Sequence, residues 1–121
     1  MYKNFSRFCV YLVSSLLFSQ VVLADNVPGN RVILRVQSYN NWAAVQFSPS
    51  YVNNLGCASP SSAKSEFVVI DWSSDSTKKA MYATALAAFS TGSKVGFGIA
   101  SCSGKFAQGV PQAYRVDMVQ Q

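Results

Sequence analysis

The densest binding chemistry in the chain sits in one run, Tyr39, Asn40, Asn41 and Trp42, and is repeated at Tyr51 beside Asn53 and Asn54. Aromatic faces next to amide side chains suit a sugar. The apolar C–H face of the ring stacks on the aromatic surface, and the hydroxyls meet amide donors and acceptors. The same residues also fit a blander account, in which Asn40-Asn41 is a turn formed for backbone reasons and Trp42 belongs to the core. Composition leaves both readings open.

Catalytic chemistry is poorly supplied. The 121 residues include no His, which removes the commonest general base and metal ligand. Neither a Ser-His-Asp nor a Cys-His constellation can be assembled. Beyond the first 24 residues the acids are Asp25, Glu66, Asp71, Asp75 and Asp117, and none forms a recognisable catalytic pair. Gly96-x-Gly98 is a small-residue alternation in an apolar segment, not a phosphate loop. No enzyme activity, cofactor or metal is expected.

The composition is that of a folded domain, 50% apolar and only 12% charged. The length suits one domain. Residues 1–24 read as a secretory signal peptide. Lys3 and Arg7 form a positive start, residues 8–18 an apolar stretch, and Val22-Leu23-Ala24 a cleavage site before Asp25. The apolar stretch is short for a membrane span, which needs about 20 residues. The expectation is a secreted or periplasmic protein with one mature domain over residues 25–121 and no membrane span.

Cleavage lowers the basic count from 10 to 8 against 5 acids and removes Cys9. The remaining charge is mild and scattered, with only Lys78-Lys79 adjacent, so no nucleic-acid partner is expected. Cys57 and Cys102 are left as an even pair in an exported small domain, which reads as a disulfide. Closing a loop of about 46 residues is worth ~4 kcal/mol in the chain-entropy picture.

The elements that would position these groups follow from pattern. Residues 25–30 are polar with Pro and Gly and read as a loose N-terminus. Residues 31–38 form a strand with Val32, Leu34 and Val36 on one face and Ile33 and Arg35 on the other. Residues 42–47 form a second strand, paired with the first across Asn40-Asn41. Residues 48–65, rich in Ser, Pro and Asn, read as a long loop.

A buried third strand follows over residues 66–72. A helix is expected over residues 76–90, capped by Asp75 or Ser74 and ended by Gly92, with Tyr82, Ala85, Leu86 and Phe89 as its apolar stripe. Residues 94–102 form a fourth strand, in which Gly96 and Gly98 admit a close neighbour, either the helix or a second subunit. Residues 103–112 read as a loop and residues 113–119 as a fifth strand. This β-β-β-α-β-β order predicts a mainly β, OB-fold-like Greek-key barrel of five strands with one α-helix between strands 3 and 4.

The run from Met81 to Val95 (MYATALAAFSTGSKV) and the segment Val32-Ile33-Leu34-Arg35-Val36 resemble the B subunits of pentameric bacterial toxins of the subtilase cytotoxin and typhoid toxin type. The resemblance implies a virulence-associated homopentamer with helices lining a central pore. It also implies host cell-surface glycans, sialylated or other, as ligands, and a secreted catalytic subunit as partner. The chain departs from the family at Leu34, near which the family carries a sugar-contacting serine, and in having one candidate disulfide. On their aromatic and amide chemistry, Tyr39, Asn40, Asn41 and Trp42 are the expected glycan-binding residues, with Tyr51 second. The competing expectation is a small monomeric periplasmic inhibitor or structural protein that meets a protein partner through its loops, with Lys78-Lys79 facing acidic groups.

Overall fold

A computed structural model describes residues 25–52, 55–57, 65–106 and 110–119. The expected leader, and Asn53 and Asn54, lie outside these residues. Five strands, β1 (Asp25–Ser38), β2 (Trp42–Tyr51), β3 (Ser65–Asp71), β4 (Lys94–Ser103) and β5 (Val110–Val119), close into a barrel in the order β1-β2-β3-β5-β4. One helix, α1 (Lys79–Thr91), preceded by a 3-10 turn (Ser76–Lys78), lies between β3 and β4. The architecture is the expected OB-fold-like barrel. All neighbours pair antiparallel except β3 and β5, which meet in parallel at Val69 and Gln112.

The barrel closes through β1, which is longer than the sequence suggests. Its first half pairs with β4 (Asp25 with Ile99, Val27 with Phe97) and its second half with β2 (Val36 with Val45). The polar stretch 25–30 is therefore strand, with a bulge between Val27 and Arg31 where Gly29 lies. β2 likewise runs on through Ser48–Tyr51, into the segment expected to be loop. Arg31 anchors this extension by donating from Nε to the Pro49 carbonyl and from Nη2 to that of Ser50, both at 3.1 Å. Partner strands thus override a local composition that favours loop.

Alternation sends Val45, Phe47, Val68, Ile70, Val95, Phe97 and Ile99 inward, and all are fully buried. Phe47 and Phe97 meet at 5.5 Å between ring centroids. In β1 a second bulge, between Ile33 and Arg35, switches the inward face from Ile33 to Val36. Leu34, in that bulge, is 55% exposed. The regular grouping of Val32, Leu34 and Val36 on one face therefore does not hold.

Asp75 caps the helical segment by accepting from the Thr77 amide at 3.0 Å and the Thr77 hydroxyl at 2.6 Å. Gly92, at φ 68°, ends α1 in the left-handed region and donates to the Ala88 carbonyl. The packed stripe differs from the expected one. Ala85 and Ala88 are buried, and Met81 and Tyr82 pack beside them on the core, whereas Phe89 is 45% exposed. Alanines bring the helix close to the barrel, and a ring at residue 89 points past that contact. Gly96 and Gly98 also have a different neighbour from either one expected. A Cβ on Gly96 would come 2.9 Å from the Val27 carbonyl oxygen, and one on Gly98 2.8 Å from the Tyr114 ring, so the close approach is to β1 and β5 of the same chain.

Candidate functional site

The β1–β2 turn holds four of the five expected binding residues together. The Tyr39 amide donates to the Trp42 carbonyl at 2.9 Å, leaving Asn40 and Asn41 as the two-residue turn. The Trp72 amide donates to the Asn41 carbonyl at 3.0 Å, which ties the turn to the end of β3. Tyr39 and Trp42 stack nearly parallel, with ring centroids 3.9 Å apart and planes 9° off. Tyr39 is 45% exposed and Trp42 half-buried, so the stack presents an open aromatic face and is not part of the core.

Neither asparagine occupies the left-handed region, the usual reason for Asn in such a turn. Among the described residues neither side chain has a hydrogen-bond partner. Two amides with unused donors and acceptors thus stand beside a stacked aromatic pair.

Tyr51 is elsewhere. It lies at the far end of β2, a strand length of about 30 Å away. Its hydroxyl donates to Asp25 Oδ1 at 2.7 Å, and the Arg31 guanidinium lies over its ring at 5.5 Å. Burial, then the bond to Asp25 and that residue's charge, push its phenol up to about 12, with Arg31 acting in the opposite sense. Its ring packs against the core. It belongs to a structural clamp and does not join the turn.

The fold instead adds residues that the sequence did not flag. The tip of the β4–β5 connection brings Phe106 edge-on to Trp42, with centroids 6.3 Å apart, and to within 5.0 Å of Phe67 on β3. Trp42 and Phe67 flank the outward-facing pair Ala44 and Val69, both fully buried, so Phe106 covers this part of the sheet. Arg35 extends the surface, with its guanidinium 5.8 Å from the Phe67 centroid. A single aromatic ring in the polar segment SGKFAQG was the one available signal for Phe106. Its partner could not be read from the sequence.

Lys105 holds this tip in place. Its Nζ lies 3.2 Å from Asp71 Oδ2 and donates to Ser73 Oγ at 2.8 Å. Asp71 Oδ1 also accepts from the Ser73 amide at 2.8 Å. Partial burial opposes the Asp71 charge, but the Ser73 hydrogen bonds and Lys105 outweigh it and hold the carboxyl below its ordinary range.

Cys57 and Cys102 are bonded, with Cα atoms 5.4 Å apart, as expected from the sequence. They tie the segment after Tyr51 to β4. Among the described residues, no helix is long and apolar enough to cross a membrane, and no three Cys, Asp or Glu residues gather as a metal-binding group.

The arrangement can stack a flat apolar face and bond its polar edge. No protein-family model, curated protein or solved structure matches the chain.

Proposed function

We propose that the chain is a secreted or periplasmic protein that binds host cell-surface glycans through the β1–β2 turn. In this reading it works as a homo-oligomer in the manner of toxin B subunits, delivering a catalytic subunit. The observation that carries the glycan reading is the open Tyr39–Trp42 stack beside the unpartnered amides of Asn40 and Asn41. Its place agrees with the physics of the fold. In OB-type barrels the outer face of strands 2 and 3, with the loops joining strands 1–2 and 4–5, is where oligosaccharides and oligonucleotides bind.

Exposed apolar side chains support the oligomer. Val32, Leu34, Phe89, Met118 and Val119 are each more than a third exposed. Val32 and Val119 flank Lys94 in one row across β1, β4 and β5. An exposed apolar surface of this kind favours a protein contact, and multivalency would strengthen a shallow sugar site.

The test is a glycan array read with wild type and Trp42→Ala, together with the solution mass by light scattering. Binding that disappears in a folded Trp42→Ala variant supports the site, and retained binding refutes it. A mass near five chains supports the ring. A single-chain mass favours the monomeric inhibitor instead, for which the supporting observation is that Lys78 and Lys79 have no ion-pair partner among the described residues.

A further inference from the structure

We propose a second, separate sugar site on the outer face of β4 and β5, where one neutral pyranose ring stacks on Tyr114 and its hydroxyls meet Asp117 and Asn26. In the barrel order β4 lies two strands from both β2 and β3, so this face is remote from the β1–β2 turn. The two sites share no residue, and this one stands or falls apart from the reading above.

A bulge places Tyr114 on the outside. Gly98 pairs with Arg115 and Ile99 with Ala113, which leaves Tyr114 as the extra residue of β5. Consecutive residues of a regular strand face opposite ways, but here Tyr114 and Arg115 both reach over Gly98. A Cβ at residue 98 would come 2.8 Å from the Tyr114 ring and 3.1 Å from the Arg115 Cβ. Glycine is what lets the ring settle against β4. Tyr114 nevertheless stays 47% exposed, so it is held in place with an open surface on which a sugar can stack.

The polar groups beside the ring are ordered as well. The Arg115 guanidinium lies 5.6 Å from the Tyr114 centroid. Its Nε donates to Asp117 Oδ2 at 2.8 Å and its Nη2 to Asn26 Oδ1 at 2.9 Å. One guanidinium thus aligns a carboxylate and an amide and leaves each a free atom. Asp117 Oδ1 and Asn26 Nδ2 have no partner among the described residues, and both side chains are open to solvent. The carboxylate oxygen accepts from a sugar hydroxyl and the amide donates to one, which matches two neighbouring hydroxyls of one ring. Arg115 is a positioning residue here. Its charge is balanced by Asp117, so the site takes a neutral sugar rather than an anionic one.

A single stacked ring with a few hydrogen bonds binds with a dissociation constant on the order of 1 mM, which a washed array does not retain. The test is therefore made in solution, by amide NMR titration with the methyl glycosides of glucose, galactose, mannose and N-acetylglucosamine, and with sorbitol as an open-chain polyol. At least one glycoside should shift the Gly98 and Arg115 amides saturably in wild type and equally in Trp42→Ala. Tyr114→Ala should abolish the shift, and Asn26→Ala should weaken binding about five-fold, as loss of one hydrogen bond does. Asn26→Ala changes one exposed side chain and decides the matter if Tyr114→Ala fails to fold. No saturable shift at these amides with any glycoside, an equal shift with sorbitol, or affinity unchanged in Asn26→Ala overturns the proposal. A lower solution mass for Tyr114→Ala than for wild type also overturns it, by marking the ring as a contact between chains. Failure of the turn site is read separately, at the Asn40 and Asn41 amides and in Trp42→Ala.

Discussion

The two ends of β2 begin from nearly the same chemistry and reach opposite ends of use. Each carries a tyrosine beside paired asparagines in the sequence. At the Trp42 end the tyrosine stacks on an open ring, and the neighbouring amides remain unbonded among the described residues. At the Tyr51 end the phenol is bonded to Asp25, roofed by Arg31 and packed on the core. Composition is therefore a poor guide to a binding site. What separates the two ends is whether another strand supplies partners. The first half of β1 brings Asp25 and Arg31 to the Tyr51 side chain and satisfies it, whereas the Trp42 ring meets its neighbour Tyr39 and, from a distant part of the chain, Phe106.

The largest effect that can sharpen this contrast comes from the disulfide that ties down the chain after Tyr51. Cys57→Ser combined with Cys102→Ser should cost about 2–4 kcal/mol in denaturant unfolding. Glycan binding by the protein that remains folded should persist. Loss of binding in a folded variant would show that the two ends are not independent.

Tyr51→Phe should cost about 1 kcal/mol, the worth of a hydrogen bond to a charged acceptor discounted for partial exposure. Tyr39→Phe, which leaves the stack intact, should stay within about 0.5 kcal/mol of wild type, as surface changes do. Equal costs at the two tyrosines would break the comparison.

The Tyr51 phenol also carries a pH signature. Its folded pKa is raised to about 12, above the ordinary value of 10.0. The associated stability is therefore complete below pH 10 and is lost as pH rises toward 12. The difference in unfolding free energy between wild type and Tyr51→Phe should be flat up to pH 10 and shrink above it.

A small effect is expected at the loop latch. Lys105→Met should cost about 0.5 kcal/mol, because the pair is partly exposed and screened. The Asp71 carboxyl is depressed, so its contribution is present above the ordinary carboxylate range and fades as pH falls through its folded pKa. Acid unfolding curves should accordingly show Lys105→Met less sensitive than wild type below about pH 4. A Trp42 emission that shifts in this variant would report that Phe106 has moved.

The features legible in the sequence were those with local causes. Asp75 caps its helix within two residues, and Gly92 ends it because only a residue tolerant of positive φ fits there. The strand–strand–strand–helix–strand–strand order follows from apolar alternation, and the cysteine pair from the two cysteines that lie beyond the first 24 residues. The turn residues Tyr39 to Trp42 were legible as a cluster because they adjoin one another.

Tertiary structure decided whatever depended on which distant strand came alongside. It turned residues 25–30 and 48–51 into strand by giving them partners, and used the bulge at Leu34 to reverse a face. It placed Gly96 against the β1 backbone and left Phe89 outside the helix packing. It also set Lys105 and Phe106 beside Trp42 while locking Tyr51 away. Capping and periodicity act over a few residues and leave their mark in the local pattern. Pairing between residues dozens of positions apart depends on register and closure of the whole barrel, and no local segment carries that information.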